Sequence, residues 1–233
     1  MLVKPMSARV FADRAAAGVA LAPQVQRRKL RAPVLVLALP RGGVPVAHEI
    51  ARVLEAPLDV ILVRKVGMPG QPELAIGAVA SGEVVVHDRG IERIFPGIAE
   101  SFDRILAEER RELLRREAVY RAGLAPLVLK GKTVVLVDDG LATGCTMLAA
   151  VRAVRAGSAD AIVVAAPVAS PQAARLIAAE ADQLVILQTP AMLFAIGEWY
   201  ERFEQLEDEE VCRVLELHRR DDRESAAANQ SAR

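Results

Sequence analysis

Two adjacent carboxylates stand immediately before a loop of small residues near the middle of the chain. Asp138 and Asp139 follow the apolar run at 134–137, and the loop at 140–146 leads into a helical pattern. Backbone N–H groups at a helix start attract anions, whereas carboxylates repel them and suit hydroxyl groups or a divalent cation. The pattern predicts a ligand that carries a phosphate together with hydroxyls or a metal. The alternative is a solvated acidic turn before an ordinary helix cap.

A second candidate anion site follows an earlier apolar run, at 34–39. Pro40 is followed by Arg41, Gly42 and Gly43, and a helical pattern then begins at residue 44. Paired glycines let backbone amides approach a ligand closely, and a guanidinium adds a fixed positive charge. The alternative is a tight turn between strand and helix with a surface arginine.

The elements that must position these residues alternate along the chain. Unbroken apolar runs, typical of strands buried on both faces, lie at 34–39, 60–63, 134–137, 161–166 and 183–187. Helical patterns lie between and beyond them, at 7–21, 44–54, 98–121, 146–155, 172–181 and 208–218. This alternation predicts an α/β fold, a mostly parallel twisted sheet with helices on both faces. Both candidate loops would then lie at the carboxyl edge of the sheet, where such folds bind ligands.

Further expectations concern the residues outside the parallel strands. Two glycines and two prolines within 64–73 favour an irregular, mobile loop, while 74–80 and 83–86 favour short strands or a hairpin. In the first helix, Asp13 and Arg14 are expected to be exposed between apolar positions. The polar, alanine-rich stretch at 221–233 is expected to be a disordered tail.

Composition restricts the class of protein. At 233 residues the chain suits one α/β domain, at 1–220, with a small appendage. Lys plus Arg and Asp plus Glu both number 30, and aromatics are 3%, so neither nucleic acid nor an anionic membrane is an expected partner. Cys145 and Cys212 form no disulfide framework, and no long apolar segment or signal peptide is seen, so a soluble cytoplasmic protein is expected. Cys145 is interpreted as a small loop residue.

The stretch at 134–146 resembles the phosphoribosyl-pyrophosphate motif of the type I phosphoribosyltransferases: an apolar strand, two acids, three residues, then Thr-Gly-x-Thr. The resemblance implies that family's fold and that Asp138 and Asp139 contact ribose hydroxyls. It also implies 5′-phosphate binding by Ala142, Thr143, Gly144, Cys145 and Thr146. Likewise, Arg41, Gly42 and Gly43 resemble the family's pyrophosphate-binding loop, and 64–73 resembles its flexible catalytic loop.

The implied reaction is transfer of phosphoribose from phosphoribosyl pyrophosphate to a nitrogenous base, with Mg²⁺ and release of pyrophosphate, as in nucleotide salvage. Lys65, Asp138 and Asp139 are the predicted catalytic residues, with Lys65 neutralising the departing pyrophosphate. The alternative for Lys65 is a solvated basic residue at a strand end. The two aspartates are also candidate metal ligands, directly or through water. The sequence itself is silent on oligomeric state, and a homodimer is suggested only by the resemblance, since family members are commonly dimers.

The acceptor base stays open. Ala142 stands where the hypoxanthine-guanine branch has an aspartate, and the Leu-Ala-Thr-Gly loop is similar to that of adenine phosphoribosyltransferases. A hood from 1–30 and 190–218 would cover the base, with Trp199 or Tyr200 either stacking on it or packing the hood on the core. The alternative function is a non-catalytic phosphoribosyl-pyrophosphate or nucleotide-binding regulator. Neither glycine loop has the Gly-x-Gly-x-x-Gly spacing of dinucleotide-dependent oxidoreductases.

Overall fold

The computed structural model describes residues 10–82, 84–87 and 97–231. Within these ranges the strands are β1 Val34–Ala38, β2 Leu58–Val60, β3 Val63–Met68, β4 Gln71–Ala80, β5 Val84–His87, β6 Thr133–Val137, β7 Ala161–Val168 and β8 Gln183–Gln188. The helices are α1 Arg14–Gln26, α2 Gly43–Leu54, α3 Ile98–Tyr120, α4 Cys145–Ala156, α5 Pro171–Ala178 and α6 Asp208–Ser231, with a 3₁₀ turn at Ile196–Trp199.

The main sheet is parallel, with the strand order β2-β1-β6-β7-β8. Its apolar runs lack polar alternation because helices cover both faces. Within β6, Val135 belongs to the core shared with α1, α2 and α6, while Leu136 belongs to the core shared with α4 and α5. The α/β fold predicted from the sequence is therefore confirmed.

The register of the central strands brings the two candidate loops together. Ala38 at the end of β1 lies beside Val137 at the end of β6, and Val137 lies beside Ala165 of β7. Beyond this level the N–H of Leu39 still donates to the Val137 carbonyl, at 2.9 Å. Residues 40–43 and 138–139 consequently emerge as neighbours at one edge.

The segment at 64–73 is not the irregular loop that the sequence predicts. It forms an antiparallel hairpin of β3 and β4, which β5 extends into a second sheet. Pro69 and Gly70 make the turn, with Gly70 at φ 78°, and shifts of register at Gly67 accommodate the other glycine. The predicted strand at 60–63 is likewise divided, since β2 ends at Val60 and β3 begins at Val63.

Both terminal helices differ from their predicted bounds. The first helix begins at Arg14 because the Asp13 carboxylate accepts the N–H of Ala16 at 2.8 Å and caps it; residues 7–9 of the predicted helix lie outside the described ranges. The last helix continues to Ser231, where a disordered tail is predicted from 221. Alanines at 226–228 favour helix and offset the polar composition. Residues 232 and 233 of the predicted tail lie outside the described ranges. Residue 83, at the start of the predicted strand at 83–86, also lies outside them.

Pro167 also behaves differently from expectation. The sequence predicts that it ends the strand, yet β7 continues to Val168. Because pairing with β6 stops at Ala165, the missing N–H of Pro167 interrupts no ladder on that side. Across the described residues, no helix is long and apolar enough to cross a membrane.

Candidate functional site

The acid pair lies where β6 leaves the sheet. The Asp138 N–H still donates to the Ala165 carbonyl of β7, at 3.4 Å, and the Asp139 N–H turns back to donate to Asp138 Oδ1, at 2.8 Å. Burial, followed by the charge of Asp139, raises the pKa of Asp138 well above its usual range. Burial also raises the pKa of Asp139, although Arg14 opposes that shift. Two neighbouring carboxylates with this environment favour a ligand that supplies hydroxyl donors or positive charge.

The loop at 41–43 is in direct contact with the acid pair. A Cβ placed on Gly42 would lie 1.9 Å from Asp139 Oδ2, and one placed on Gly43 would lie 2.6 Å from the Val137 carbonyl oxygen. The sequence explains these glycines by the approach of an anion. The structure adds a second reason, because side chains here would separate the two loops from each other.

The Arg41 side chain extends from this loop toward the start of α6. Its Nη1 lies 3.6 Å from Glu207 Oε2 and 3.9 Å from Asp208 Oδ1. Asp208 also accepts a hydrogen bond from the Tyr120 hydroxyl, which together with burial raises the pKa of that phenol. The one cation predicted in this loop is therefore held by acids of the protein itself.

The loop at 142–146 delivers the N-terminus of α4 to the same edge. Gly144 is the N-cap residue at φ 79°, and the Cys145 N–H donates to Thr143 Oγ1 at 3.4 Å. Thr143 and Thr146 are exposed, whereas the free Cys145 thiol is partly buried. The loop thus presents hydroxyls and helix-terminal amides outward, as an anion site requires.

Residues beyond β7 anchor the base of that loop. The Leu141 N–H donates to the Val168 carbonyl and the Ser170 N–H donates to the Leu141 carbonyl, both at 2.9 Å. The Ser170 hydroxyl donates to the Ala142 carbonyl at 2.6 Å. Ser170 is therefore a supporting residue that the sequence motif does not reveal.

Lys65 lies on β3 and faces a cleft of about 590 Å³ that it shares with Thr146. Arg64 lines the same cleft, and its Nε contacts Glu109 Oε2 of α3 at 2.6 Å. The β3–β4 hairpin thus brings the predicted catalytic lysine to the side of the 142–146 loop. A distinct small cavity of about 60 Å³ adjoins Pro40, Arg64 and Thr146 and also reaches Arg116.

Tyr200 packs the predicted hood on the site. Its side chain is 6% exposed, and its ring stacks on Phe203 with centroids 4.8 Å apart and contacts Phe11 at 5.7 Å. Its hydroxyl donates to the Asp139 carbonyl at 2.6 Å. This geometry favours the packing alternative over stacking on a base. Trp199 is partly buried against the same aromatic cluster, and its carbonyl accepts the Phe11 N–H at 2.9 Å.

Arg14 is a site residue that the sequence analysis missed. It is expected to be exposed, yet its side chain is only 12% exposed and its Nε lies 2.8 Å from Asp139 Oδ2. Its Nη1 donates to the Glu204 carbonyl at 2.9 Å, and its guanidinium lies 3.8 Å from the centre of the Phe203 ring. No local pattern indicates this role, because helical periodicity identifies only the apolar face. Residues 1–9 of the predicted hood lie outside the described ranges.

Comparison with known proteins agrees with this geometry. Residues 13–201 match the phosphoribosyl transferase domain family. Two proteins of Mycobacterium tuberculosis, from strains CDC 1551 and H37Rv, are 42% identical over 224 residues, which is 96% of this chain and 50% of each relative. Both are named as phosphoribosyl transferases on a provisional basis. The chain spans half the length of these relatives.

A solved structure is similar over nearly the whole domain. The protein TT1426 from Thermus thermophilus is 44% identical and superposes with a TM-score of 0.81, covering 88% of this chain and 97% of that one. The match to the family spans most of the described residues and includes the acid pair and both glycine loops. The chain therefore belongs to the phosphoribosyl transferase domain family.

Proposed function

We propose that this protein is a phosphoribosyltransferase that uses phosphoribosyl pyrophosphate and Mg²⁺ to transfer phosphoribose to a nitrogenous base. The observation that carries the proposal is the meeting of three features at one sheet edge. The acid pair, the 41–43 loop and the N-terminus of α4 emerge from adjacent strands, and Gly42 lies against Asp139. Their separate chemistries match the sugar, pyrophosphate and 5′-phosphate of a single ligand.

Each part of the ligand has a complementary group. Asp138 and Asp139 would accept hydrogen bonds from the ribose hydroxyls. The α4 amides, with the hydroxyls of Thr143 and Thr146, would bind the 5′-phosphate. Arg41 would bind the pyrophosphate, together with the backbone amides of its loop.

The acid pair also suits a magnesium ion. Mg²⁺ prefers oxygen ligands and is usually held by one or two carboxylates together with water and substrate phosphates. Asp138 and Asp139 lie at the carboxyl edge of the sheet and neither residue is fully buried, so they would hold the ion directly or through water. When bound, the ion would supply positive charge to the pyrophosphate.

The reaction replaces the bond from ribose C1 to pyrophosphate with a bond from C1 to a ring nitrogen, and the nitrogen loses its proton. The transition state has oxocarbenium character, so catalysis would depend on positioning and on charge stabilisation. Arg41 and Lys65 would stabilise the negative charge of the leaving pyrophosphate. The β3–β4 hairpin would cover the site and exclude water that otherwise hydrolyses the sugar.

One observation favours the alternative, a non-catalytic phosphoribosyl-pyrophosphate or nucleotide-binding regulator. Arg41 and Asp139 are both held by side chains of the same protein, by Glu207 and Asp208 in one case and by Arg14 in the other. In such a regulator, ligand binding would exchange these contacts and so change the protein's surface. Binding of the ligand without turnover of any base would support this function.

A base-dependent release of pyrophosphate, screened over purines, pyrimidines and related heterocycles, tests the enzyme proposal and identifies the acceptor. Isothermal titration of phosphoribosyl pyrophosphate with and without Mg²⁺ tests the binding site independently. Absence of Mg²⁺-dependent binding would refute the enzyme proposal, and absence of any binding of phosphoribosyl pyrophosphate or of nucleotides would refute the regulator as well. A homodimer, a cytoplasmic location and a role in nucleotide salvage remain proposals, and sedimentation velocity would test the first.

Lys65→Ala is expected to slow turnover more than it weakens binding, because Lys65 would act mainly on charge that develops as pyrophosphate leaves. Loss of one such electrostatic contact typically costs on the order of 100-fold in kcat. Steady-state kinetics and titration of phosphoribosyl pyrophosphate would separate the two effects. Lys130→Ala, at an exposed turn, is the matched control. An unchanged turnover number for Lys65→Ala would exclude the assigned role.

Glu207→Gln is expected to tighten the binding of inorganic pyrophosphate about two- to fivefold, since an exposed ion pair is worth up to about 1 kcal/mol. The Glu207 side chain is 70% exposed and competes with the anion for Arg41. Titration with pyrophosphate and Mg²⁺ measures the change, with Glu209→Gln, an exposed acid two residues further along the chain, as control. Equal affinities for the two variants would show that Glu207 does not compete.

A further inference from the structure

Arg14 is fixed by three different contacts beside the acid pair. Its Nε is 2.8 Å from Asp139 Oδ2, its Nη1 donates to the Glu204 carbonyl at 2.9 Å, and its guanidinium lies over the Phe203 ring at 3.8 Å. The side chains of Arg14 and Asp139 are only 12% and 14% exposed. A largely buried ion pair adds little to the stability of a fold, because the cost of desolvating both charges opposes their attraction. Its hydrogen bonds nevertheless fix the relative orientation of the two side chains.

The other sides of Asp139 are also restricted. Gly42 packs so closely against Asp139 that a Cβ placed on the glycine would lie 1.9 Å from Oδ2. The Tyr200 hydroxyl donates to the main-chain carbonyl of Asp139 at 2.6 Å. Arg14 therefore holds Oδ2 beside the 41–43 loop by a hydrogen bond, and it is Oδ2, not Oδ1, that accepts this bond. Without the guanidinium, Asp138 and Asp139 would be two adjacent, largely buried carboxylates with no cation bonded to the second.

Arg14 also connects this acid to the covering segment, defined here as residues 200–204. Phe203 stacks on Tyr200 and also contacts the Arg14 guanidinium. The next residue, Glu204, supplies the carbonyl that Arg14 binds. The orientation of Asp139 and the position of the covering segment are thus tied to the same side chain.

We propose that Arg14 is a positioning residue for the sugar-binding half of the site: it orients Asp139 so that Oδ1 accepts a ribose hydroxyl, and it joins that acid to the covering segment. The inference rests on the proposed function and extends it to a residue outside both glycine loops and the acid motif. Arg14 acts through Asp139 and does not itself contact the ligand. Without Mg²⁺, its effect should therefore be confined to ligands that contain the ribose.

Ligands that contain different parts of phosphoribosyl pyrophosphate make the test specific. Ribose 5-phosphate carries the hydroxyls that Asp139 would bind, whereas inorganic pyrophosphate titrated without Mg²⁺ would bind the Arg41 loop with no metal held by the acid pair. Arg14→Met removes the positive charge and retains an unbranched apolar side chain. Arg14→Lys keeps the positive charge but lacks the planar guanidinium group with its several N–H donors. Arg52→Met is the matched control, because Arg52 also pairs with a carboxylate, that of Glu49, but lies outside the site with a side chain that is 59% exposed.

Isothermal titration with Mg²⁺ should show that Arg14→Met weakens phosphoribosyl pyrophosphate and ribose 5-phosphate about tenfold or more, as expected when an oriented carboxylate loses a charged hydrogen-bond donor. Pyrophosphate affinity, measured without Mg²⁺, should stay within about twofold of the wild type, because that ligand then has no contact with Asp139 through a metal. Arg14→Lys should recover part of the sugar-dependent affinity. Arg52→Met should match the wild type for all three ligands.

Three results would overturn the inference. Unchanged ribose 5-phosphate affinity in Arg14→Met would exclude positioning, and an equal loss of pyrophosphate affinity would indicate a general structural role. If Arg14→Met does not fold, Phe203→Leu removes the ring that the Arg14 guanidinium contacts. Unchanged ribose 5-phosphate affinity in Phe203→Leu would also exclude the positioning role of Arg14. A wild-type protein that binds pyrophosphate but neither sugar ligand would instead refute the proposed function, on which this inference depends.

Discussion

Asp138→Asn combined with Asp139→Asn is expected to weaken the binding of phosphoribosyl pyrophosphate by at least about 100-fold. Asparagine keeps the size of each side chain but removes the charge that strengthens a hydrogen bond to a ribose hydroxyl. Each such bond is worth about 1.5 to 3 kcal/mol, and about 1.4 kcal/mol corresponds to tenfold in affinity. Titration of the ligand with Mg²⁺ would measure the loss.

The same variant should keep its fold. Burial raises the pKa of both carboxyls, so their ionised forms are less favourable in the folded protein than in the unfolded chain. At a pH above these pKa values a neutral side chain relieves that cost, while the loss of the Asp139 partner of Arg14 opposes the gain. We therefore expect a small change in melting temperature, measured by thermal unfolding.

Asp160→Asn, at an exposed turn before β7, is the control for the double variant and should bind as the wild type does. Unchanged affinity in the double variant would show that the acids do not contact the ligand. A large fall in melting temperature would show instead that the acid pair is needed for folding, and the binding result would then have no bearing on ligand contact.

Gly42→Ala is expected to weaken ligand binding about 10- to 100-fold while leaving the fold in place, as for the loss of one or two charged hydrogen bonds. Its new methyl group would lie 1.9 Å from Asp139 Oδ2. The nearest atoms belong to the end of a side chain, so the carboxylate can move away from Arg14 without displacing the backbone. The substitution should therefore lower ligand affinity rather than stability, because it displaces the Asp139 carboxylate from its position beside the 41–43 loop.

Titration and thermal unfolding of Gly42→Ala would separate binding from stability. Gly123→Ala is a suitable control, because Gly123 has φ 71° and a Cβ added there would meet nothing within 4 Å. That variant adds backbone strain without a collision and should retain the affinity of the wild type. Wild-type affinity for Gly42→Ala would show that the close packing of the two loops is not required for binding.

The hairpin at β3 and β4 shows where local composition is ambiguous. Glycine and proline interrupt a strand, but they also build the turn that joins two strands. Because Pro69 and Gly70 form the turn and Gly67 lies at a register shift, the segment remains paired. Composition alone could not separate these two uses, since the distinction depends on which residues face each other across the strands.

Local signals were sufficient for the fold class and for the two loops with their acid pair. Apolar runs without alternation predict strands buried on both faces, and short-range order predicts Asp138, Asp139 and both glycine loops at the carboxyl edge. Parallel topology then brings the loops together without further information. These features depend on residues close in sequence, which is why they could be read from it.

Only the tertiary structure decided what surrounds the acids. Arg14 bonds an acid 125 positions away, Tyr200 donates to a carbonyl 61 positions away, and Arg41 meets Glu207. No local periodicity encodes such pairs, because each depends on how a terminal segment folds back over the sheet. The sequence therefore determined the α/β framework and the acid motif within it, while the packing of the two ends of the domain determined which side chains hold that motif in place.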